Sequence, residues 1–204
     1  NYFDIILPYI AGLSRKEDIY KDLSSLINRF LNTPGRKFHS LRDSSLEAWI
    51  KLYKTNSNSI NYQVSYYNLG ALTALCLDIE LRQSNSSLAY ILRGLWQDNK
   101  IRKRGYVRDD ILRLVSKVDI NLVDKLNNWL DNPDSIKFEE SLNIIGLDLV
   151  SLSLEDDDIG LNINDSYKEL RISSVINNSN AMIAGLIPGD IIIAVNRYYI
   201  NDIK

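Results

Sequence analysis

An α+β fold is predicted for this chain: a helical part followed by a small β-rich module. Three observations predict it. Apolar residues recur at the helical period of 3.6 through residue 130; from residue 147 they fall into short alternating runs; and Asn132, Pro133 and Asp134 break the chain between the two regimes. The change of period divides the chain into a helical unit over residues 1–134, a connector over 135–150 and a β-rich unit over 151–204.

The elements follow in order. Asn1, Tyr2, Phe3 and Asp4 lead at once into the apolar run of residues 5–10, with neither a methionine nor a capping signal, which reads as a helix already under way. Ser14 and Glu17 have capping-box spacing, and Ile19, Leu23, Leu26, Ile27 and Phe30 then share a helical face until Asn32, Thr33, Pro34 and Gly35 stop it. Ser44 and Glu47 repeat the device ahead of Trp49, Ile50 and Tyr53, whose spacing predicts a packed helix, while residues 55–61 are polar enough for a loop. After the pair Tyr66 and Tyr67, Gly70 leads into a long amphipathic helix with Leu72, Leu75, Cys76 and Ile79 on one face. Asp78 and Arg82, four apart, are spaced to pair for a few tenths of a kcal/mol. Further helices are predicted over residues 88–97, 109–117 and 121–130, with the basic cluster Lys100, Arg102, Lys103 and Arg104 in a solvated loop. A short helix through Phe138 and Leu142 ends at Gly146, a left-handed cap. Leu147, Leu149 and Leu152, then residues 159–163, 170–176 and 191–195, read as short strands with turns between them, including the acidic Asp156, Asp157 and Asp158.

Composition excludes several classes. With 204 residues, 45% hydrophobic and 25% charged, the chain is an ordinary globular sequence with room for one large or two modest domains. A net charge of -2 and a basic cluster without interleaved aromatics give no reason to expect nucleic acid. No apolar run reaches the roughly 18 residues of a membrane span. The single cysteine, Cys76, excludes an intrachain disulfide and sits in an apolar helix, where packing is its expected role. The compartment stays open, with the cytoplasm favoured.

In the β-rich unit, IGLNI over residues 159–163 and RISSVINNSNAMIAGLIPGDIIIAVNRYYI over residues 171–200 resemble a bacterial PDZ domain, most specifically in AGLIPGDIIIAVN. The resemblance implies a loop whose backbone N–H groups receive a peptide carboxylate and a following strand that pairs with the ligand. Ile159, Gly160, Leu161, Asn162 and Ile163 hold those positions. The alternative is that Gly160 is a strand-edge glycine in a module used for packing. Two departures stand out: Arg197 replaces the usual glycine after the asparagine, and Lys204 precedes the helix that walls the groove in that family. A truncated module without a complete peptide groove is expected.

In the helical unit, NTPGR from Asn32, SSLEAWIKLY from Ser44, VSYYNLGALTALCLDIELR over residues 64–82, LWQDN near Trp96 and GYVRDDI from Gly105 resemble the glycyl aminopeptidase family of zinc metallopeptidases; FEESLNIIGLDL is similar to that family's connector into its PDZ module. The resemblance implies the C-terminal, helical half of a gluzincin-like (thermolysin-like) catalytic domain. It further implies an HExxH helix carrying two zinc ligands and the general base, with a later glutamate as third ligand. Those residues are missing here, so no metal ligand is assigned, and zinc is expected only in a longer parent whose metal-binding helices precede Asn1. By itself this chain is expected to be inactive.

One residue carries chemistry under that resemblance. Tyr67, three before Gly70, matches the tyrosine that stabilises the tetrahedral oxyanion, a task suited to a phenol that stays a neutral donor at pH 7. Tyr66 is the backup, and Leu69 stands where the best-known relatives of the motif carry lysine. Among twelve tyrosines, one beside an apolar helix also reads as a core residue with a satisfied hydroxyl. His39, without companions at ligand spacing, reads as a surface or loop histidine; Glu139 and Glu140 are adjacent and point to different helix faces. Ser65 reads as an N-cap rather than a nucleophile, and Trp49 as core rather than cleft. The reading is therefore the C-terminal part of an aminopeptidase acting on N-terminal glycine or alanine. A non-catalytic peptide-binding module on a helical scaffold is the alternative. Expected partners are a peptide substrate, the missing N-terminal catalytic half, and further copies of the chain through apolar surface left by cut ends.

Overall fold

The computed structural model describes residues 1–150, 159–164 and 169–200. Leu152 and the acidic turn at Asp156, Asp157 and Asp158 lie outside the described residues. The described chain is mostly helical, with a small strand-rich region near its end.

Helix α1 (Tyr2–Ile10) buries Tyr2, and α2 (Lys16–Leu31) buries Leu23, Leu26, Ile27 and Phe30 as their spacing predicts. The start of α2 differs. Arg15, not Ser14, is the N-cap, and the Asp18 carboxylate accepts the Arg15 N–H at 2.9 Å. The second expected device is displaced further. Ser40 caps α3 (Leu41–Leu46) by accepting the Asp43 N–H at 3.1 Å, which puts Ser44 inside that helix and Glu47 at its end. Residues 47–53 form turns rather than a packed helix, leaving Trp49 78% exposed. The expected loop before the tyrosines holds a single helical turn, α4 (Ser59–Tyr62).

The centre of the fold is α5 (Tyr66–Gln83). Leu69, Ala71, Leu72, Leu75, Cys76, Leu77, Ile79 and Leu81 are all buried, so the helix is enclosed almost all round rather than on one stripe. Truncating such a leucine to alanine costs about 2–5 kcal/mol. Burial also pushes the Cys76 thiol up to about 11, the state of a packing residue rather than a nucleophile. Asp78 carries more than the surface pair its spacing predicts. It is buried and accepts from the Tyr2 hydroxyl at 2.6 Å, the Arg82 Nε at 3.0 Å and the Leu88 N–H at 2.6 Å, tying α1, α5 and the next helix together.

Helix α6 (Leu88–Arg102) runs through Lys100 and Arg102, residues expected in a loop. The extension is held by buried Asp110, which accepts from Arg102 at 2.9 Å and Arg104 at 3.2 Å. Helices α7 (Arg108–Ser116) and α8 (Asn121–Asp131) are joined by the Arg108 fork on Asp131 at 2.8 and 2.7 Å. Helix α9 (Phe138–Ile144) ends as expected at Gly146: its N–H reaches Asn143 O and the Leu147 N–H reaches Leu142 O, each at 3.1 Å, a Schellman motif. Residues 147–150 form no strand, contrary to the alternation of Leu147 and Leu149.

Strands β1 (Leu161–Asn164), β2 (Leu170–Val175) and β3 (Ile191–Ile192) form an antiparallel sheet in the order β1-β2-β3, with α10 (Asn180–Ile183) between β2 and β3. The expected strand over residues 191–195 is interrupted at Ile193. Its second part, β4 (Ala194–Val195), pairs with β5 (Tyr198–Tyr199) across a two-residue turn. Arg197, at φ +71°, occupies the left-handed position that a glycine adopts without steric cost. Ile172, Val175 and Ala181 form a small core with Leu161, Leu186 and Ile192. This core meets the helical part through Asn61, only 2% exposed, whose amide nitrogen donates to Val175 O at 2.8 Å and whose oxygen accepts the Asn177 N–H at 2.9 Å.

Candidate functional site

The site is built where the chain enters α5. Gly35, in the turn at Pro34–Lys37, lies against Gln63 so closely that an added Cβ would stand 2.2 Å from the Gln63 carbonyl oxygen. Only glycine fits there, which gives the NTPGR segment a physical reason. The next residue, Val64, is held on both sides: its C=O accepts from the Ser44 hydroxyl, and its N–H donates to His39 Nδ1 at 3.3 Å. A backbone amide only donates, so Nδ1 is the acceptor and the ring proton sits on Nε2, which donates to Glu47 at 3.0 Å. Lys51 first and His39 second hold the Glu47 carboxyl below its usual range. His39 is 4% exposed with both ring nitrogens engaged. It lies in a loop as its sequence context predicts, but as a buried orienting residue rather than a surface one.

Ser65 occupies the N-cap of α5, although its hydroxyl makes no capping bond. Tyr66 and Tyr67 follow with stacked rings, 4.2 Å between centroids, and both hydroxyls meet that of Tyr53: 2.9 Å from Tyr67 and 3.2 Å from Tyr66. The Tyr53 ring leans on Trp49 at 5.0 Å. Tyr67 is 44% exposed, so it is neither a core residue nor enclosed. The Tyr53 hydroxyl first, and the neighbouring Tyr66 second, lower the Tyr67 phenol below its ordinary value, while Tyr53 and then Tyr67 raise that of Tyr66. Leu69, standing in place of the lysine, is buried in the core. Beside Tyr66 an open groove of about 730 Å³ is lined by Leu41, Leu46, Gly70, Ile111 and Leu130, with Arg42 and Arg108 on its wall.

The other predicted positions lie in the β-rich region. Ile159 O accepts the Ala181 N–H at 2.9 Å and Gly160 O accepts the Ile176 N–H at 2.8 Å. Gly160 has φ +77°, and a Cβ there would stand 2.2 Å from Ser179 Cβ, so α10 packs directly on this loop. Leu161, Asn162 and Ile163 lie in β1, an edge strand among the described residues. Glu139 and Glu140 sit exposed in the first turn of α9, away from both places. Among the described residues no group of three or more His, Cys, Asp or Glu side chains is placed to hold a metal ion. His39 offers no free nitrogen, so the residues described do not fit zinc.

Sequence reasoning missed Tyr53, His39 and Asn61 as site-building residues. The spacing of Tyr53 with Trp49 predicts a packed helix, which hides its place beside the tyrosine pair. Val64, which His39 holds, lies 25 residues away, and Val175, which Asn61 bonds, lies 114 away, beyond any local pattern.

A family profile described as M61 glycyl aminopeptidase matches residues 1–73, which include Tyr53, Tyr66, Tyr67 and Gly70. The crystal structure of an aminopeptidase N family protein from Idiomarina loihiensis superposes with a TM-score of 0.88 at 28% identity, covering 98% of this chain and 37% of that one. The chain therefore spans little more than a third of the length of that protein. No curated protein sequence matches. The chain resembles the glycyl aminopeptidase family, and its likeness is to part of a peptidase.

Proposed function

We propose that this chain is the C-terminal part of a metallo-aminopeptidase of the glycyl aminopeptidase type, and that Tyr67 is its contribution to the chemistry. The observation that carries this reading is a half-exposed phenol at the start of a buried, clamped helix, with its oxygen already bonded to a second hydroxyl. Such a phenol is a preorganised neutral donor: it meets the oxyanion that develops when water adds to a scissile carbonyl, with no reorganisation during the reaction. The clamps on Gln63 and Val64 set the position of that donor through backbone contacts, which resist displacement better than a side-chain contact on a free loop.

Zinc belongs to this proposal as an expectation of the family. Its ligands would come from residues outside this chain's sequence. The groove beside Tyr66 is the place we assign to the peptide, and the preference for N-terminal glycine or alanine likewise follows from the family. In the same reading, the helical part is the C-terminal half of a gluzincin-like domain, residues 135–150 are a connector, and the β-rich region is a PDZ-like module.

The place of β1 at the end of its sheet among the described residues favours a second reading, in which that module pairs with an extended peptide and the helices are a scaffold. Titrating C-terminal peptides against the complete protein separates the two, since this binding is indifferent to Tyr67. The test of the first reading is turnover of glycyl and alanyl anilides by the complete protein and its Tyr67→Phe variant. A loss of roughly 10²–10³ in kcat is expected, and unchanged turnover would sink the role of Tyr67.

A further inference from the structure

We propose that Tyr53 is a positioning residue for Tyr67: its hydroxyl donates to the Tyr67 oxygen and accepts from Tyr66, so that the Tyr67 proton is the one left pointing outward. The inference rests on the reading of Tyr67 as a hydrogen-bond donor and goes beyond it by assigning the order of the bonds. The Tyr53 oxygen is the shared vertex, 2.9 Å from Tyr67 and 3.2 Å from Tyr66. A hydroxyl has one proton to give but can accept two bonds, so Tyr53 either accepts from both neighbours and keeps its own proton free, or relays a chain in one of two directions. In the chain from Tyr66 through Tyr53 to Tyr67, two protons are used inside the cluster and the third remains on Tyr67. The reverse chain leaves it on Tyr66.

Two observations select the first direction. Tyr67 is the more exposed of the pair, whereas Tyr66 is partly covered where it lines the groove. The phenol of Tyr67 is also made more acidic and that of Tyr66 less so, as expected of the terminal acceptor and the initial donor of a chain. A phenol that accepts a hydrogen bond while offering its own proton is the stronger donor, because bonds in a chain polarise one another. Tyr53 therefore explains why adjacent, stacked tyrosines have different tasks. It also gives the exposed turn of residues 47–53 a purpose: Trp49 supports the Tyr53 ring at 5.0 Å, and Glu47, at the base of the turn, is tied to His39.

The test is Tyr53→Phe in the complete protein, which keeps the ring on Trp49 and deletes only the hydroxyl. With tyrosines labelled at the carbon bearing the hydroxyl, the resonance that Tyr67→Phe abolishes is followed by NMR as pH rises. It should titrate at higher pH in Tyr53→Phe than in the wild type, while Tyr67→Leu provides a second assignment if Tyr67→Phe folds poorly. In turnover, Tyr53→Phe should lower kcat about tenfold with KM within about twofold, less than the loss of the donor itself, and should move the alkaline limb upward. A Tyr67 titration that does not move in Tyr53→Phe overturns the inference, even where Tyr67→Phe abolishes turnover. A titration that moves while turnover ignores Tyr67→Phe supports the bond order and removes the oxyanion role instead.

Discussion

Replacing Asn61 by alanine removes a buried side chain that bonds two backbone groups across the contact between helices and strands. Its amide nitrogen donates to Asn58 Oδ1 and Val175 O, each at 2.8 Å, and its oxygen accepts the Asn177 N–H at 2.9 Å. An unpaired buried backbone group costs about 1–3 kcal/mol. Two such groups appear in the variant, but Asn177 is at the surface and rehydrates, which places the loss at roughly 2–4 kcal/mol. At 1.4 kcal/mol per factor of ten, exchange of the Asn177 amide through opening of this contact accelerates roughly 30- to 1,000-fold. Asn61→Asp is the sharper control. It keeps shape and the acceptor for Asn177 but faces Val175 O and Asn58 Oδ1 with a second acceptor, so it should be at least as damaging. Hydrogen exchange read at Asn177, with urea unfolding alongside, measures both. Unchanged protection of Asn177 in both variants would refute the reasoning that this side chain joins the two parts.

Asp78→Ala strands the Tyr2 hydroxyl and the Leu88 N–H together, so urea unfolding should show a loss of about 3–5 kcal/mol; Asp78→Asn, which keeps an acceptor, should cost less. Acid stability follows from carboxylates held below their usual range: Asp131 by the Arg108 fork, Asp110 by the Val107 N–H and then Arg104, Glu47 by Lys51 and then His39. A depressed folded pKa adds stability above the unfolded value near 4, and that stability is lost as pH falls through the folded value. Urea midpoints should therefore be flat between about pH 5 and 7 and drop below about pH 4. In Arg108→Ala the drop should be shallower, since Asp131 then titrates nearer its unfolded value.

The helices that were legible in the sequence are those whose signals are local. In α2, α7 and α8 the buried positions recur at 3.6 residues, and Gly146 ends α9 through bonds that reach back only a few residues. Capping motifs were legible as a class but not in register. Ser44 and Glu47 have the right spacing, yet Ser40 and Asp43, spaced alike, form the cap, because Ser44 is drawn inward to the Val64 carbonyl. The basic residues after Trp96 read as a loop because the helix there is held by Asp110, a partner in the next helix. The tyrosine pair was legible as a candidate through resemblance alone. What places it depends on Gly35 against Gln63, His39 on Val64 and Tyr53 on both hydroxyls, contacts with sequence separations that no periodicity encodes.

On the proposed function, Tyr67 binds a developing oxyanion rather than the ground-state substrate. A phosphinic dipeptide, whose tetrahedral phosphorus and anionic oxygen mimic that state, tests it most directly. Inhibition constants should be measured for the complete protein and for Tyr67→Phe, beside KM for the matching alanyl substrate. The variant should bind the phosphinate about 10²-fold more weakly, with KM changed by less than about threefold. Equal affinity of both proteins for the phosphinate would contradict it.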